Sequence, residues 1–350
     1  MSKSFYGTGR KFEMSGFMRK YGVIFVLLLM VLVLLIASPV FRTVSNTISV
    51  LLQVAINGIL ALGMVFVITA GGIDLSIGSM LALAGSIVGA MLYVDPAEAL
   101  KATKETQEVV AGTPLTIGEV PMGTIVLACF LAIAACTLFG VLNGVLVAKF
   151  NMFPFVVTLS TQLVIRGLAY IITGGYSLTL SSKAFRTIGQ GKLLNALPYP
   201  IIVLAVLAAI AYILLHHTKF GRYIYAVGGN MNAAIASGVN VFWIRVWSFI
   251  IMGFCAGVAG VIMASRISAG QPNSGSGYET DAIAACVIGG TSFAGGISTI
   301  PGTVIGVLII GVIYNGMNLL QINTYWQTIA KGLLIIGAVM LDMVINKRRK

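Results

Sequence analysis

The sequence predicts an all-α fold, a polytopic bundle of membrane-crossing helices, and three observations carry that prediction. Hydrophobic residues make up 58% of the 350 and charged residues only 9%, where a soluble domain carries roughly a quarter. Mean hydropathy is +0.99. Apolar runs long enough to cross a hydrocarbon core of about 30 Å recur along the whole chain, and inside such a core the backbone must satisfy its own hydrogen bonds. No soluble domain of useful size remains between them.

About ten segments follow in order: residues 21–41, 48–70, 76–94, 123–147, 154–172, 198–215, 246–265, a short 281–288, 300–320 and 326–345. The first run is too long for a secretory signal and has no small-residue cleavage site, so it stays as a helix. The second and third are parted by T-A-G-G-I-D-L-S-I-G from Thr69 to Gly78, which sets an aspartate among glycines. A charge at bilayer depth costs roughly 2.5–3.5 kcal/mol on insertion scales, so Asp74 marks either a pathway or a helix end. The 281–288 segment is too short to span alone. With its flanks from Tyr278 to Gly290 it reads as a tilted, broken or re-entrant piece shielded by neighbouring helices.

Lysine and arginine set the orientation, because cytoplasmic loops are enriched in them. Lys3, Arg10, Lys11, Arg19 and Lys20 precede the first span, and Lys347, Arg348, Arg349 and Lys350 follow the last. Both termini are then cytoplasmic and the span count is even. The chain divides into a basic tail at 1–20, a membrane domain at 21–346 with an inside loop at 216–245, and a basic tail at 347–350. Lys149, Lys219, Arg222 and Arg245 fall on the same side, while Arg166 and Lys331 fall within spans. The net charge of +12 follows from this topology. Because the basic residues flank spans and form no aromatic-interleaved patch, nucleic acid is not a partner and the lipid bilayer is.

Cys129, Cys136, Cys255 and Cys286 all sit in apolar runs, with no C-x-x-C pair and no histidine at ligand spacing; they read as buried small hydrophobes, and no metal site is expected. His216 and His217 are polar boundary residues at the end of a span. No G-x-x-x-x-G-K-[ST] loop occurs, and G-T-G-R-K at Gly7 to Lys11 lacks its spacing. The chain therefore holds no ATPase and no catalytic residues, and no cofactor is expected.

Two outside loops read as solvated or as landing surfaces for a soluble partner: 95–122, with Glu98, Lys101, Lys104, Glu105, Glu108 and Glu119, and 174–197, with Lys183, Arg186 and Lys192. The inside loop says more. Gly228 and Gly229 predict a turn, Asn230 a helix cap, 231–237 a short alanine-rich helix and Gly238 its end. Such a stubby helix suits a groove on another protein, although an ordinary amphipathic connector has the same composition.

These residues resemble the permease subunits of bacterial ABC importers for sugars, of the ribose and galactose type. The resemblance covers most of the chain and rests on G-G-I-D-L-S-I-G at Gly71 to Gly78, N-M-F-P-F-V-V-T-L at Asn151 to Leu159, and the run from Thr218 to Val241. In the last third it rests on G-Y-E-T-D-A-I-A-A-C-V-I-G-G-T-S-F-A-G-G from Gly277 to Gly296 and N-T-Y-W-Q at Asn323 to Gln327, which look closest to the galactose and methyl-galactoside permeases. The resemblance implies a bacterial inner-membrane protein working with a second permease subunit, cytoplasmic ATPase subunits and a periplasmic sugar-binding protein. It also implies that Gly228, Gly229, Asn230, Ala233, Ala234, Ser237 and Gly238 form the segment that couples to the ATPase.

Polar residues beside glycine breaks supply candidates for the translocation pathway: Asp74, Ser76, Asn143, Thr291, Ser292 and Asn315. The competing reading makes them packing residues, since membrane helix interfaces favour Gly, Ser and Asn. An internal echo pairs Gly71-Gly72, Asn143-Gly144 and Arg166-Gly167-Leu168 with Gly289-Gly290, Asn315-Gly316 and Lys331-Gly332-Leu333, as an inverted repeat would. Two other classes stay open: an ion-coupled secondary transporter using Asp74, and an ABC permease for branched-chain amino acids, whose recognition would favour a partner for the cargo's carboxylate. An integral-membrane enzyme is disfavoured, because no His, Asp or Glu cluster gathers at one interface.

Overall fold

The computed structural model describes residues 14–93, 120–194 and 196–347. Among these residues are thirteen helices: α1 (Met14–Ala37), α2 (Val44–Thr69), α3 (Ile77–Leu92), α4 (Met122–Lys149), α5 (Pro154–Thr173), α6 (Lys183–Gln190), α7 (Tyr199–His217), α8 (Lys219–Gly229), α9 (Met231–Ala236), α10 (Val241–Ile267), α11 (Tyr278–Ile288), α12 (Ile300–Leu319) and α13 (Thr324–Lys347). Two short antiparallel pairs join β1 (Leu178–Thr179) to β4 (Ala269–Gly270) and β2 (Lys192–Leu193) to β3 (Leu197–Pro198). The chain is thus a polytopic helical protein, with α2, α4, α5, α7, α10 and α12 long and apolar enough to cross a membrane. The short segment expected at 281–288 is α11, which extends back to Tyr278; eleven residues reach only about 16 Å, half a bilayer. The loop at 95–122 falls mostly outside the described residues, as do the first thirteen residues and the last three.

Helix α2 is the core. From Val54 to Thr69 every residue is buried, because α7, α10, α11 and α12 all pack on it. Close approach rests on small residues: a Cβ on Gly63 would press on Met252 of α10, and one on Gly58 would press on Leu204 of α7. Gly140 and Gly144 of α4 meet the α10 backbone at Phe249 and Val246, and Gly253 and Gly257 of α10 meet the α4 backbone at Cys136 and Ile133. Without a hydrophobic drive between helices in lipid, such small-residue contact supplies the van der Waals attraction. Leu28, Leu163, Ile171 and Leu333 point outward, as a lipid-facing surface requires.

Helix ends sort onto two faces. One carries α8, α9, the end of α2 at Thr69 and the loop 289–299. The other carries α6, the β1–β4 pair and the turn 320–323. The loop at 174–197, expected to be solvated or a landing surface, is mostly exposed but is anchored on this second face. Ser182 caps α6 by accepting from the Phe185 amide, Phe185 is fully buried, and Ser265 at the end of α10 accepts from the Gly189 amide at 2.7 Å while donating to the Phe185 carbonyl at 2.6 Å. Lys183 and Lys192 remain exposed.

Candidate functional site

The short helix expected after Asn230 forms where the sequence places it. The Asn230 side chain accepts from the Ala233 amide at 3.0 Å and starts α9, and Gly238, at φ +80°, ends it. Gly228 and Gly229, however, form no turn. They are the last residues of α8, which starts on a Thr218 cap, buries Ile224 and Val227, and runs without a break to Asn230. Gly228 is there for closeness: a Cβ would overlap the Thr69 carbonyl oxygen and press on the Gly296 amide. A Cβ on Gly229 would point into open space. Ala234 is buried beneath α9, while Asn230, Ala233, Ser237 and Gly238 are exposed. Helix α9 therefore has an inner side at Ala234 and an outer side formed by the rest.

At the end of α8 the closest contacts are backbone to backbone, with hydroxyl contacts beside them. The Gly296 amide donates to the Thr69 carbonyl at 3.0 Å, and Gly295 and Gly296, at φ +86° and +73°, lie against Gly71, Gly228 and Gly229. The Thr69 and Ser298 hydroxyls meet at 2.7 Å, and Tyr225 of α8 donates to the Ser298 carbonyl at 2.9 Å. One seam thus joins α8, the end of the central helix and the loop that follows α11. The two glycine pairs of the sequence echo, Gly71-Gly72 and Gly289-Gly290, each open one of the two chain segments meeting there.

The pathway candidates are brought together only in part. Asp74, Ser76 and Asn143 form one fully buried cluster: the Asp74 carboxylate accepts from the Ser76 amide at 2.8 Å and hydroxyl at 2.6 Å, and Asn143 donates to the Ser76 hydroxyl at 3.0 Å. Asp74 holds the turn that leads into α3. Thr291 and Ser292 are buried in the loop after α11, where the Ser292 hydroxyl accepts from the Ala294 amide. Asn315 lies elsewhere, exchanging two amide bonds with Asn46 at 2.7 and 3.1 Å across α12 and α2.

Sequence reasoning missed a third group. Arg166 of α5 donates to the carbonyls of Pro272 and Ser274 at 2.7 and 2.8 Å, and Lys331 of α13 donates to that of Gly277 at 2.8 Å. Lys331 also pairs with Asp281 at 2.7 Å, and Tyr314 donates to the same carboxylate at 2.8 Å. The readable signal was the Q-P-N-S-G-S-G run, polar and turn-rich, next to two spans that each carry a lone cation. Among the described residues no group of three or more His, Cys, Asp or Glu residues is placed to hold a metal ion.

Residues 46–339 match the family described as "Branched-chain amino acid transport system / permease component". The ribose import permease protein of Bacillus subtilis is 39% identical, over 95% of this chain and 95% of its own. The D-allose transport system permease protein of Escherichia coli is 37% identical, over 97% and 96%. The galactose/methyl galactoside import permease protein of Haemophilus influenzae is 34% identical, over 95% and 96%, so the galactose likeness expected from the last third is present at lower identity than that to the ribose permease. No solved structure matches the chain. With full-length relatives of this kind and helices built to cross a bilayer, the chain belongs to the permease family of bacterial sugar ABC importers, as a multi-pass inner-membrane subunit that transports and is not an enzyme.

Proposed function

We propose that this chain carries a monosaccharide across the membrane by alternating access, driven by a separate ATPase docked on α9 and fed by a sugar-binding protein at the opposite face. The observation that carries this reading is the glycine seam between α8, Thr69 and Gly296. A push on α9 has no side chains to compress at Gly228, so it passes directly into α2, on which the bundle is packed, and into the loop leading back to α11. Closure of the ATPase dimer then rotates helices between two openings as rigid bodies. The exposed Asn230, Ala233, Ser237 and Gly238 are the docking surface, and buried Ala234 its seat.

In this reading the α9 face is cytoplasmic, about ten segments alternate in direction, and both basic tails lie inside. The domain limits are a tail at 1–20, the membrane domain at 21–346 with coupling loop 216–245, and a tail at 347–350. A second permease subunit, another copy or a related chain, completes the route.

The cargo is a neutral pentose or hexose, with ribose, D-allose and galactose as first tests because those sugars name its relatives. A branched-chain amino acid would need a cation for its carboxylate, and the two cations set farthest from a helix end, Arg166 and Lys331, are already bonded to the protein's own carbonyls and carboxylate. Co-reconstitution with its ATPase and binding protein tests the reading. ATP-dependent uptake of one of the three sugars and none of leucine is expected, with Ala233→Trp losing ATPase copurification. Uptake driven by a proton gradient without ATP would overturn it.

A further inference from the structure

Residues 271–277 leave the β1–β4 pair and enter the bundle, and two cations mark their depth. Arg166 lies seven residues before the end of α5 at Thr173, and Lys331 seven residues after the start of α13 at Thr324, about 10 Å in each case. Arg166 grips the segment at Pro272 and Ser274, and Lys331 grips it at Gly277. On a third side a Cβ on Gly78, at the start of α3, would overlap the Gly275 carbonyl oxygen. Irregular backbone at such depth must find partners within the protein or line a cavity. Here three carbonyls are satisfied by charged side chains, and Asp281 with Tyr314 fixes the second cation.

The segment's own side chains turn the other way. Gln271, Asn273 and Ser276 are exposed, while Pro272 and Gly275 are buried. Polar groups exposed below the rim face water or a polar solute, because lipid tails offer no hydrogen bonds. By contrast Asp74, Ser76, Asn143, Thr291 and Ser292 are buried and face no opening.

We propose that 271–277 lines the outer half of the sugar route, with Gln271, Asn273 and Ser276 as its uncharged contacts, and that Arg166 and Lys331 are positioning residues holding this lining from two different helices, α5 and α13. The proposal rests on the importer reading above. Amides and hydroxyls both donate and accept, matching a sugar's hydroxyls. The two cations are countered by two carboxylates, Asp281 paired with Lys331 and Glu279, which accepts from the Gly277 amide and interacts electrostatically with both Arg166 and Lys331, so the lining carries no net charge.

The test labels the complete transporter, with its ATPase, from the outer side with a membrane-impermeant maleimide, over the background of native cysteines, three of which are buried. Asn273→Cys should label readily. Half-buried Ser274→Cys should label slowly, and Arg166→Gln or Lys331→Gln should speed it roughly tenfold, the effect on local opening of losing a hydrogen bond to a charged group. Lys331→Arg should restore the slow rate. Asn273→Cys reacting only with a lipid-soluble maleimide, or with none, overturns the lining; unchanged Ser274→Cys rates in both cation variants overturn the positioning role. If the cation variants fail to copurify with the ATPase, Asn273→Cys in the otherwise native chain still decides the lining. Labelling uses no cargo, so its outcome is independent of which sugar is carried.

Discussion

Gly228 of α8 and Thr69 of α2 touch through backbone alone, the Thr69 carbonyl also accepting the Gly296 amide at 3.0 Å. A joint of this kind has no rotamers to absorb displacement, so two adjacent glycines should behave differently. Gly228→Leu forces a side chain into the seam, at about 1–3 kcal/mol for overpacking, and should lower the melting midpoint and abolish uptake. Gly229→Leu meets open space; melting should be unchanged while ATPase copurification falls. Equal melting of the two variants would refute the seam.

Tyr225→Phe removes the bond to the Ser298 carbonyl, worth about 0.5–1.5 kcal/mol. Docking should survive, and sugar moved per ATP hydrolysed should drop. Burial raises the Tyr225 pKa and its bond to Ser298 only partly offsets this. A raised phenol pKa favours the neutral form, so this contact should give no pH dependence through the neutral range. A coupling ratio equal to that of the native chain would remove Tyr225 from the linkage.

Asp74→Asn keeps an oxygen for the Ser76 amide and hydroxyl, whereas Asp74→Ala strands both in a fully buried site, at about 1–3 kcal/mol each. The asparagine variant should melt and transport close to the native protein, and the alanine variant should do neither. Loss of uptake by a stably folded Asp74→Asn would instead return the carboxylate to the route.

Asn46 and Asn315 exchange two amide bonds, and such bonds between membrane helices are worth about 0.6–2 kcal/mol. Asn315→Ala should destabilise the bundle by about 1 kcal/mol, leave uptake intact, and show coupling with Asn46→Ala in a double-mutant cycle. Additive effects would deny the pair.

Hydrophobic run length and glycine breaks were legible locally, so the long apolar helices, the half-length α11 and the Asp74 turn appear where the sequence puts them, while α6 and α8 lie in stretches read as loop. Contacts across the chain were not. Nothing local says that Asn315 meets a residue 269 positions away, or that Gly228 faces a carbonyl and does not turn the chain. The echo of Arg166-Gly167-Leu168 in Lys331-Gly332-Leu333 was visible as text. That both cations close on one segment depends on α5 and α13 flanking it, which only packing decides. Likewise Phe185 and the small α6 look solvated until Ser265 is found beneath them.

The central position of α2 constrains how the chain is made. Its packing partners α10, α11 and α12 lie in the C-terminal third, so a helix made early lacks most of its surroundings until the chain is nearly finished. Through that interval Asn46 lacks Asn315, its amide partner in the folded chain. Closing around this early helix should therefore come late, and truncations after α7 should be degraded rather than accumulate as partial bundles.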